Sequence, residues 1–507
     1  MTGKNKLLNM THVYWLPFLS GILLISIQPP VSLFPIAFFA LIPLLGSINK
    51  DNLRFSFFSG YVTGIVSYLG LIYWVIIAMN HYGGMDIFLS ALVLLLFVLY
   101  LSCYTGLFAL SCAWFEKRFS IPIYVSSPLV WVLLEYVRGF LMSGFPWSFL
   151  AHSQHNFLSF IQVVSITGTY FISFLIVAVN GVFLSLWRRK KISFIYVACI
   201  VTLCAVTLVY GFISLNEKNE TPRKKVTVIQ GNIRQDEKWD EAFKARTINK
   251  YVQMTLQSGK GADLVVWPET AMPFIFDQEM YANKYIKALP ADVNAVILFG
   301  TISKDKSGGF RNSAYVIGKT GDTLGVYNKV HLVPFGEYTP LLTYLPFLEK
   351  LTAAGDGFVP GDGHRPIKTD IGNIGVLICY EGVFPSITNE TVREGAQVLV
   401  NLTNDAWYDR TSAPFQHFAF YIFRAVETNR YVLRAANTGI SAIIDPKGRV
   451  DAKTPIFTEQ ILEGSFAMKN TKTFYVRHGD YFILLVLLAL VVAVGVGWRR
   501  QSINRKS

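Results

Sequence analysis

The 507-residue chain is short of cysteine, with five, and of charge, with 16% Asp, Glu, Lys and Arg. Four of the cysteines, Cys103, Cys112, Cys199 and Cys204, lie in strongly apolar runs, and only Cys379 lies in a stretch of ordinary polar composition. A disulfide framework is therefore excluded for the polar region, and a lone thiol facing an oxidising compartment is a liability unless its reactivity is used. No Cys/His cluster has zinc spacing, so no metal is expected. Gly355-Asp356-Gly357 and Gly361-Asp362-Gly363 lack the Gly-Lys-Ser/Thr ending of a phosphate loop and read as a mobile lid. No cofactor is expected.

Apolar sequence, by contrast, is abundant. Cut at charges, prolines and glycines, it yields runs at 15–27, 31–45, 57–79, 87–114, 121–141, 160–187, 192–215 and 481–498. A membrane crossing needs roughly 20 residues, so eight spans are expected, the first two short enough to form a re-entrant hairpin at Pro29-Pro30. The division that follows is a membrane domain of seven spans over 1–220, a polar domain over 221–472, and a final span with its tail over 473–507.

Lys and Arg fall in every second connection, at Lys4 and Lys6, Lys50 and Arg54, Lys117 and Arg118, 188–191, and after Trp498. The connections near Pro29, near His81 and over 143–159 contain neither. By the positive-inside rule both termini are cytoplasmic and the polar domain lies across the membrane. These basic connections account for nearly all of the formal net charge of +13, so the charge reflects orientation and gives no support for nucleic-acid binding.

Within the polar domain short β-branched runs alternate with helix-like stretches, which predicts an α/β layered fold. Strands are expected at 226–230, 264–267, 295–300, 314–318, 374–378, 398–402, 431–435 and 441–444, with helices at 240–256, 279–289, 386–394 and 414–427. Strands apolar throughout must be covered on both faces, and reactive groups collect where such strands end. Glu269, Cys379 and Asn404 stand at such exits, and Lys329 lies in Tyr327-Asn328-Lys329-Val330-His331. A nucleophilic thiol needs a base and gains from a cation, roles open to Glu269 and Lys329; spacing alone leaves open whether the three meet.

The segments Val265-Val266-Trp267-Pro268-Glu269-Thr270, Tyr327 to Tyr338, and Gly375 to Glu381, in that order, resemble the nitrilase/carbon-nitrogen hydrolase superfamily. Together with the span pattern, the whole chain resembles the apolipoprotein N-acyltransferase family. The resemblance implies an αββα sandwich on a helical membrane bundle, in the bacterial inner membrane with the catalytic domain periplasmic. It implies Glu269 as general base, Lys329 as oxyanion-stabilising cation and Cys379 as nucleophile. It further implies supporting or substrate-binding roles for Glu337, Tyr380, Glu381 and Trp239. The reaction implied is ping-pong acyl transfer from a phospholipid, phosphatidylethanolamine above others, to a diacylglyceryl apolipoprotein through a Cys379 thioester. A membrane-bound amidase and a non-enzymic lipid transporter are the rival readings.

Several residues carry two readings. Glu337 either satisfies Lys329 as an ion pair or takes part in catalysis, and Trp239 either packs or touches substrate. Asn404, Asp405 and Trp407 shape the pocket wall, and His331, His364 and His417 are expected to be satisfied structural residues. Met272, Phe274, Ile275 and Phe276, with Leu341, Leu342, Tyr344, Leu345, Phe347, Leu348 and Leu351, are expected to form arms resting in the lipid interface. Glu135 and Arg138, three apart, are expected to pair on one helix face, and Phe145-Pro146-Trp147 to line a lipid entry.

Overall fold

Along Leu264-Val265-Val266-Trp267 the side chains alternate between two cores, as a strand buried on both faces requires: Leu264 and Val266 enter one cluster, Val265 and Trp267 another. The computed structural model describes residues 3–189, 192–217, 224–338 and 357–504. They divide into two compact units, one of Met1–Val75, Ile87–Leu215 and Asp480–Ser507, the other of Ile76–Asp86 and Asn216–Gly479.

Among its described residues the second unit has thirteen strands: β1 (Lys224–Gln230), β2 (Leu264–Val266), β3 (Met272–Ile275), β4 (Val296–Lys304), β5 (Phe310–Ile317), β6 (Thr323–Asn328), β7 (Ile367–Thr369), β8 (Gly372–Ile378), β9 (Val398–Thr403), β10 (Val432–Ala436), β11 (Ala442–Ile444), β12 (Val450–Lys453) and β13 (Gln460–Phe466). One sheet has the order β13-β1-β2-β4-β5-β6 with β3 beside β4, and the other β12-β11-β10-β9-β8-β7. In each the central strands are parallel, β1-β2-β4 in the first and β8-β9-β10 in the second.

Val226, Leu264, Val296 and Val316 of the first sheet face Ile374, Val376, Val400 and Leu433 of the second in one shared core. Each of these buried aliphatic side chains stabilises the fold by about 1.5–3 kcal/mol. Behind the first sheet lie the helices Glu241–Ser258 and Met280–Val293, whose Val252 and Ile286 pack on Val265 and Trp267. Trp267 stacks on Tyr251 at 5.3 Å and its indole N–H donates to Thr255 Oγ1 at 3.0 Å. The helices Pro385–Arg393 and Ala413–Thr428 cover the second sheet, completing an α-β-β-α sandwich.

Met272, Phe274 and Phe276 belong to the core behind the first sheet, so the expected lipid arm at 272–276 is corrected: β3 and the turn after it fill space against β4. The companion arm at 341–351, and Gly355 and Asp356 of the expected lid, lie outside the described residues.

Among the described residues of the first unit, five helices are long and apolar enough to cross a membrane: Leu53–Ile72, Ile87–Phe119, Tyr170–Trp187, Phe194–Asn216 and Tyr481–Ser502. Shorter apolar helices run over Trp15–Ser26, Phe34–Ser47 and Leu158–Thr167. The expected run 160–187 is broken at Gly168, whose φ of 73° no helix accommodates. The run 121–141 is the 16-residue helix Ile123–Arg138.

Backbone that is not α-helical must still find partners in an apolar medium. Buried Asn180 supplies them around 37–41, donating to Ala37 O at 2.9 Å and accepting from Leu41 N at 2.9 Å. Small residues let neighbouring helices touch: a Cβ on Gly60 would lie 2.1 Å from Thr105 O, and one on Gly64 2.7 Å from Ser102 Cα.

Glu135 and Arg138 do not pair as expected; among the described residues no ion pair joins them. Glu135 Oε1 accepts from Leu150 N at 2.8 Å, while Arg138 donates to Trp147 O at 2.9 Å and Phe145 O at 3.3 Å. Both charges pin the backbone of the following connection. Trp147 in that connection is fully buried against Trp74.

Candidate active site

Parallel strands release their side chains at their C-terminal ends, and three such exits converge. Glu269 follows β2, Cys379 follows β8, and Asn404 follows β9. Lys329 follows the antiparallel β6, its backbone N–H donating to Asn312 O at 2.8 Å on β5.

Lys329 is buried with its ammonium between two carboxylates, 2.8 Å from Glu337 Oε2 and 3.9 Å from Glu269 Oε1. Asn312 bridges the same pair, its amide donating to Glu269 Oε1 at 2.8 Å and Glu337 Oε1 at 2.9 Å. The other oxygen of Glu269 accepts from Asn404 N at 2.8 Å, and Val333 N donates to Glu337 Oε2 at 2.9 Å. Burial opposes the charge on Lys329, but Glu337, Glu269 and Cys379 outweigh it and hold its pKa well above the ordinary lysine value. Lys329 is thus held in its charged form.

Cys379 opens the short helical turn Cys379–Val383 and has φ of 51°, a conformation rare for a residue with a side chain. The turn is held from below, where Tyr421 Oη donates to Cys379 O at 2.9 Å. Burial pushes the thiol pKa well up and Glu269 adds to this, with Lys329 opposing. The thiol is therefore held towards its neutral form, with the carboxylates of Glu269 and Asp405 both within electrostatic reach of it.

Glu381 is wholly buried and its oxygens are occupied by Tyr327 Oη at 2.9 Å, Val330 N at 2.7 Å, His331 N at 3.1 Å and Ile378 N at 2.8 Å. It clamps the Lys329 loop to the strand that carries Cys379, so its position is structural. Burial raises its pKa, with the Ile378 N–H among the groups opposing. Tyr380 is buried edge-to-face on Phe384 at 5.0 Å. Trp239 is 52% exposed, which favours surface contact over core packing. Asn404 joins Glu269 to Gln235 Oε1 at 2.7 Å and accepts from Asn437 Nδ2 at 3.0 Å.

The histidines have other partners. His331 packs on Phe384 and is held neutral, burial and Lys329 pulling its pKa down to about 4. His364 bonds Tyr327 Oη at 3.1 Å, and His417 Nδ1 bonds Asp405 Oδ1 at 2.9 Å. Asp405 also pairs with Arg434 at 2.9 Å, all three wholly buried. Trp407 meets Tyr82 edge to face at 6.1 Å. Among the described residues no group of His, Cys, Asp and Glu forms a metal site.

Asn312, Lys238 and Arg434 escaped the sequence reading, as did the pairing of Asp405 with His417, because polar residues inside strands or short helices carry no local motif and partners distant in sequence leave none. The one available signal was a polar residue interrupting an apolar alternation, as Asn312 and Arg434 do.

Gly300 on β4 makes room for the Glu269 turn: a Cβ there would stand 2.4 Å from Thr270 N and 2.7 Å from Glu269 Cα. Gly300→Ala should displace that backbone, lowering the activity of the site about 10²-fold while destabilising the fold by about 1–3 kcal/mol. Steady-state rates alongside thermal melting check this.

This sandwich, with a cysteine, a lysine and carboxylates at its strand exits, defines a carbon-nitrogen hydrolase domain, and the carbon-nitrogen hydrolase family model matches residues 225–474. The model of the apolipoprotein N-acyltransferase N-terminal domain matches residues 20–182. The chain is 39% identical over 505 residues to an apolipoprotein N-acyltransferase of Geobacter metallireducens, covering 97% of this chain and 96% of that one. It is 33% identical to the enzyme of that name from Methylococcus capsulatus, covering 87% and 88%. Saccharomyces cerevisiae Nit3, of the nitrilase superfamily, aligns at 19% identity and a TM-score of 0.39, over 50% of this chain and 93% of that one. The chain belongs to the apolipoprotein N-acyltransferase family, and is a membrane-bound acyltransferase.

Proposed function

We propose that this enzyme moves a fatty acyl chain from a phospholipid, specifically phosphatidylethanolamine, to the N-terminal amine of a diacylglyceryl-cysteine lipoprotein. Glu269 takes the Cys379 proton as the sulfur attacks the donor ester, and Lys329 stabilises the tetrahedral oxyanion. The lysophospholipid alkoxide leaves with a proton returned by Glu269, and the acyl group remains as a thioester. The lipoprotein amine then attacks that thioester, Glu269 accepting its proton, and the Cys379 thiol is regenerated. The thioester itself drives amide formation, so the cycle needs no nucleotide. Glu337 keeps Lys329 in place and charged, and exposed Trp239 is proposed to touch substrate.

The observation that carries this reading is Lys329 held between Glu269 and Glu337 within electrostatic reach of Cys379, in a chain of this family. The alternation of basic and uncharged connections supports a bacterial inner-membrane protein with both termini cytoplasmic and this site periplasmic, as does a polar domain at 221–472 between membrane segments at 1–220 and 473–507.

Incubated with phosphatidylethanolamine labelled in its acyl chains, the purified protein should carry one hydroxylamine-sensitive label on Cys379. The label should persist until a diacylated lipopeptide amine is added, then move to it. Rapid release of free fatty acid without an acceptor would instead mark a hydrolase, and uptake without covalent label a transporter.

A further inference from the structure

Lys238 ends the short helix Gln235–Lys238 and is 3% exposed. Its ammonium donates to Glu269 O at 3.0 Å, and among the described residues no other acceptor is in bonding range. The carbonyl it grips belongs to a strained turn, for Thr270 immediately after has φ of 43°. The same helix reaches Glu269 by a second route, since Gln235 accepts from Asn404, whose backbone N–H holds Glu269 Oε2.

Charge counting gives this contact its weight. Glu269 and Glu337 bring two carboxylates into one buried site, and Lys329 neutralises one of them. A buried anion without a counter-charge is strongly destabilised. Lys238 is the second cation.

We propose that Lys238 is a positioning residue for acyl transfer: its ammonium fixes the turn that aims Glu269 at Cys379 and places a second positive charge beside this pair of carboxylates. The inference rests on the acyl-transfer reading above and adds a residue to it.

The groups facing Lys238 from other elements are Glu269 and Cys379. On its own helix Asp236 and Glu237 pair outward with Arg234, at 2.6 and 3.8 Å. Burial pulls the Lys238 pKa down to about 8, against the pull of Glu269 and Cys379. Its charge is present below that pH and lost above it, whereas the Lys329 pKa is held well above the ordinary lysine value.

The test measures single-turnover formation of the Cys379 thioester from about pH 6 to 10, using the full-length protein with vesicles of acyl-labelled phosphatidylethanolamine. The unaltered protein should slow above about pH 8. Lys238→Arg, a cation at every pH, should retain acylation with the alkaline decline moved up by about one unit or more. Lys238→Met should acylate about 10- to 100-fold more slowly at pH 7 and lose the decline near pH 8. A Lys238→Met protein that melts normally and acylates at the unaltered rate with the unaltered profile overturns the proposal. Should that variant melt early, an unmoved decline in Lys238→Arg does so. Failure of the unaltered protein to form any thioester would instead sink the acyl-transfer reading, and this inference with it.

Discussion

Cys379→Ala should form no acyl-enzyme and transfer acyl chains at least about 10⁴-fold more slowly than the parent, with its melting temperature nearly unchanged. The expectation has two parts because the sulfur and the strained turn are separable. The backbone at Cys379 is held by Tyr421 Oη on its carbonyl, and by Glu381 on the preceding Ile378 N–H. Neither bond uses the side chain. Alanine removes one polarizable atom from a site that is already buried, a small change in packing, but leaves no atom able to form a thioester. Labelled phosphatidylethanolamine followed by gel fluorography reads the first part, and thermal unfolding the second. Residual transfer above about one part in a thousand would mean direct attack by the acceptor on the phospholipid, and the two-step cycle would fail.

Arg434→Met should be the most damaging single change for the fold of the second unit. Asp405 is wholly buried, and its charge is met by Arg434 Nη2 at 2.9 Å, His417 Nδ1 at 2.9 Å and Thr403 Oγ1 at 3.0 Å. Burial pushes the Asp405 pKa up, yet Arg434 and His417 outweigh it and hold the carboxyl well below its usual range. A depressed carboxyl pKa contributes stability that is present above the unfolded value of about 3.9 and lost as pH falls through the folded value. Breaking such a pair from one side costs about 3–5 kcal/mol, because the remaining charge is left buried and unmatched. At about 2–4 °C per kcal/mol for a unit of this size, the melting temperature should fall by about 10 °C. Activity should fall as well, since His417 lies 3.5 Å from the Tyr421 hydroxyl that holds the Cys379 carbonyl. Melting curves at pH 7 and pH 4 check the sign: the deficit relative to the parent should be smaller at the lower pH, where the unmatched carboxyl can protonate.

The parts of this site that were legible in advance share a local cause. Leu264 to Trp267 and Gly375 to Ile378 are apolar on both faces, so they had to be central strands, and Glu269 and Cys379 had to stand where those strands end. Strands whose residues are less uniformly apolar, β6, β7, β12 and β13, left no such mark and were missed. The apolar segment 272–276 shows the limit from the other side. Its composition suits a lipid-facing arm and a buried edge strand equally, and only the proximity of β4 decides between them. The Glu135 and Arg138 spacing was a similar trap: sharing a helix face did not make them partners, because the carbonyls and N–H groups of the next connection bind each charge more directly.

By itself the sequence determined that the chain has long apolar runs around one polar α/β domain, and that a single thiol there stands at a strand exit. Period-two alternation, charge-free runs and a cysteine count are properties of neighbours along the chain, and need no fold to be read. Tertiary structure alone decided that Lys329 sits between Glu269 and Glu337, that Asn312 bridges the same carboxylates, that Lys238 holds the Glu269 carbonyl and that Arg434 neutralises Asp405. Those partners come from separate strands and helices, and charges find each other by distance in space, which linear spacing does not record.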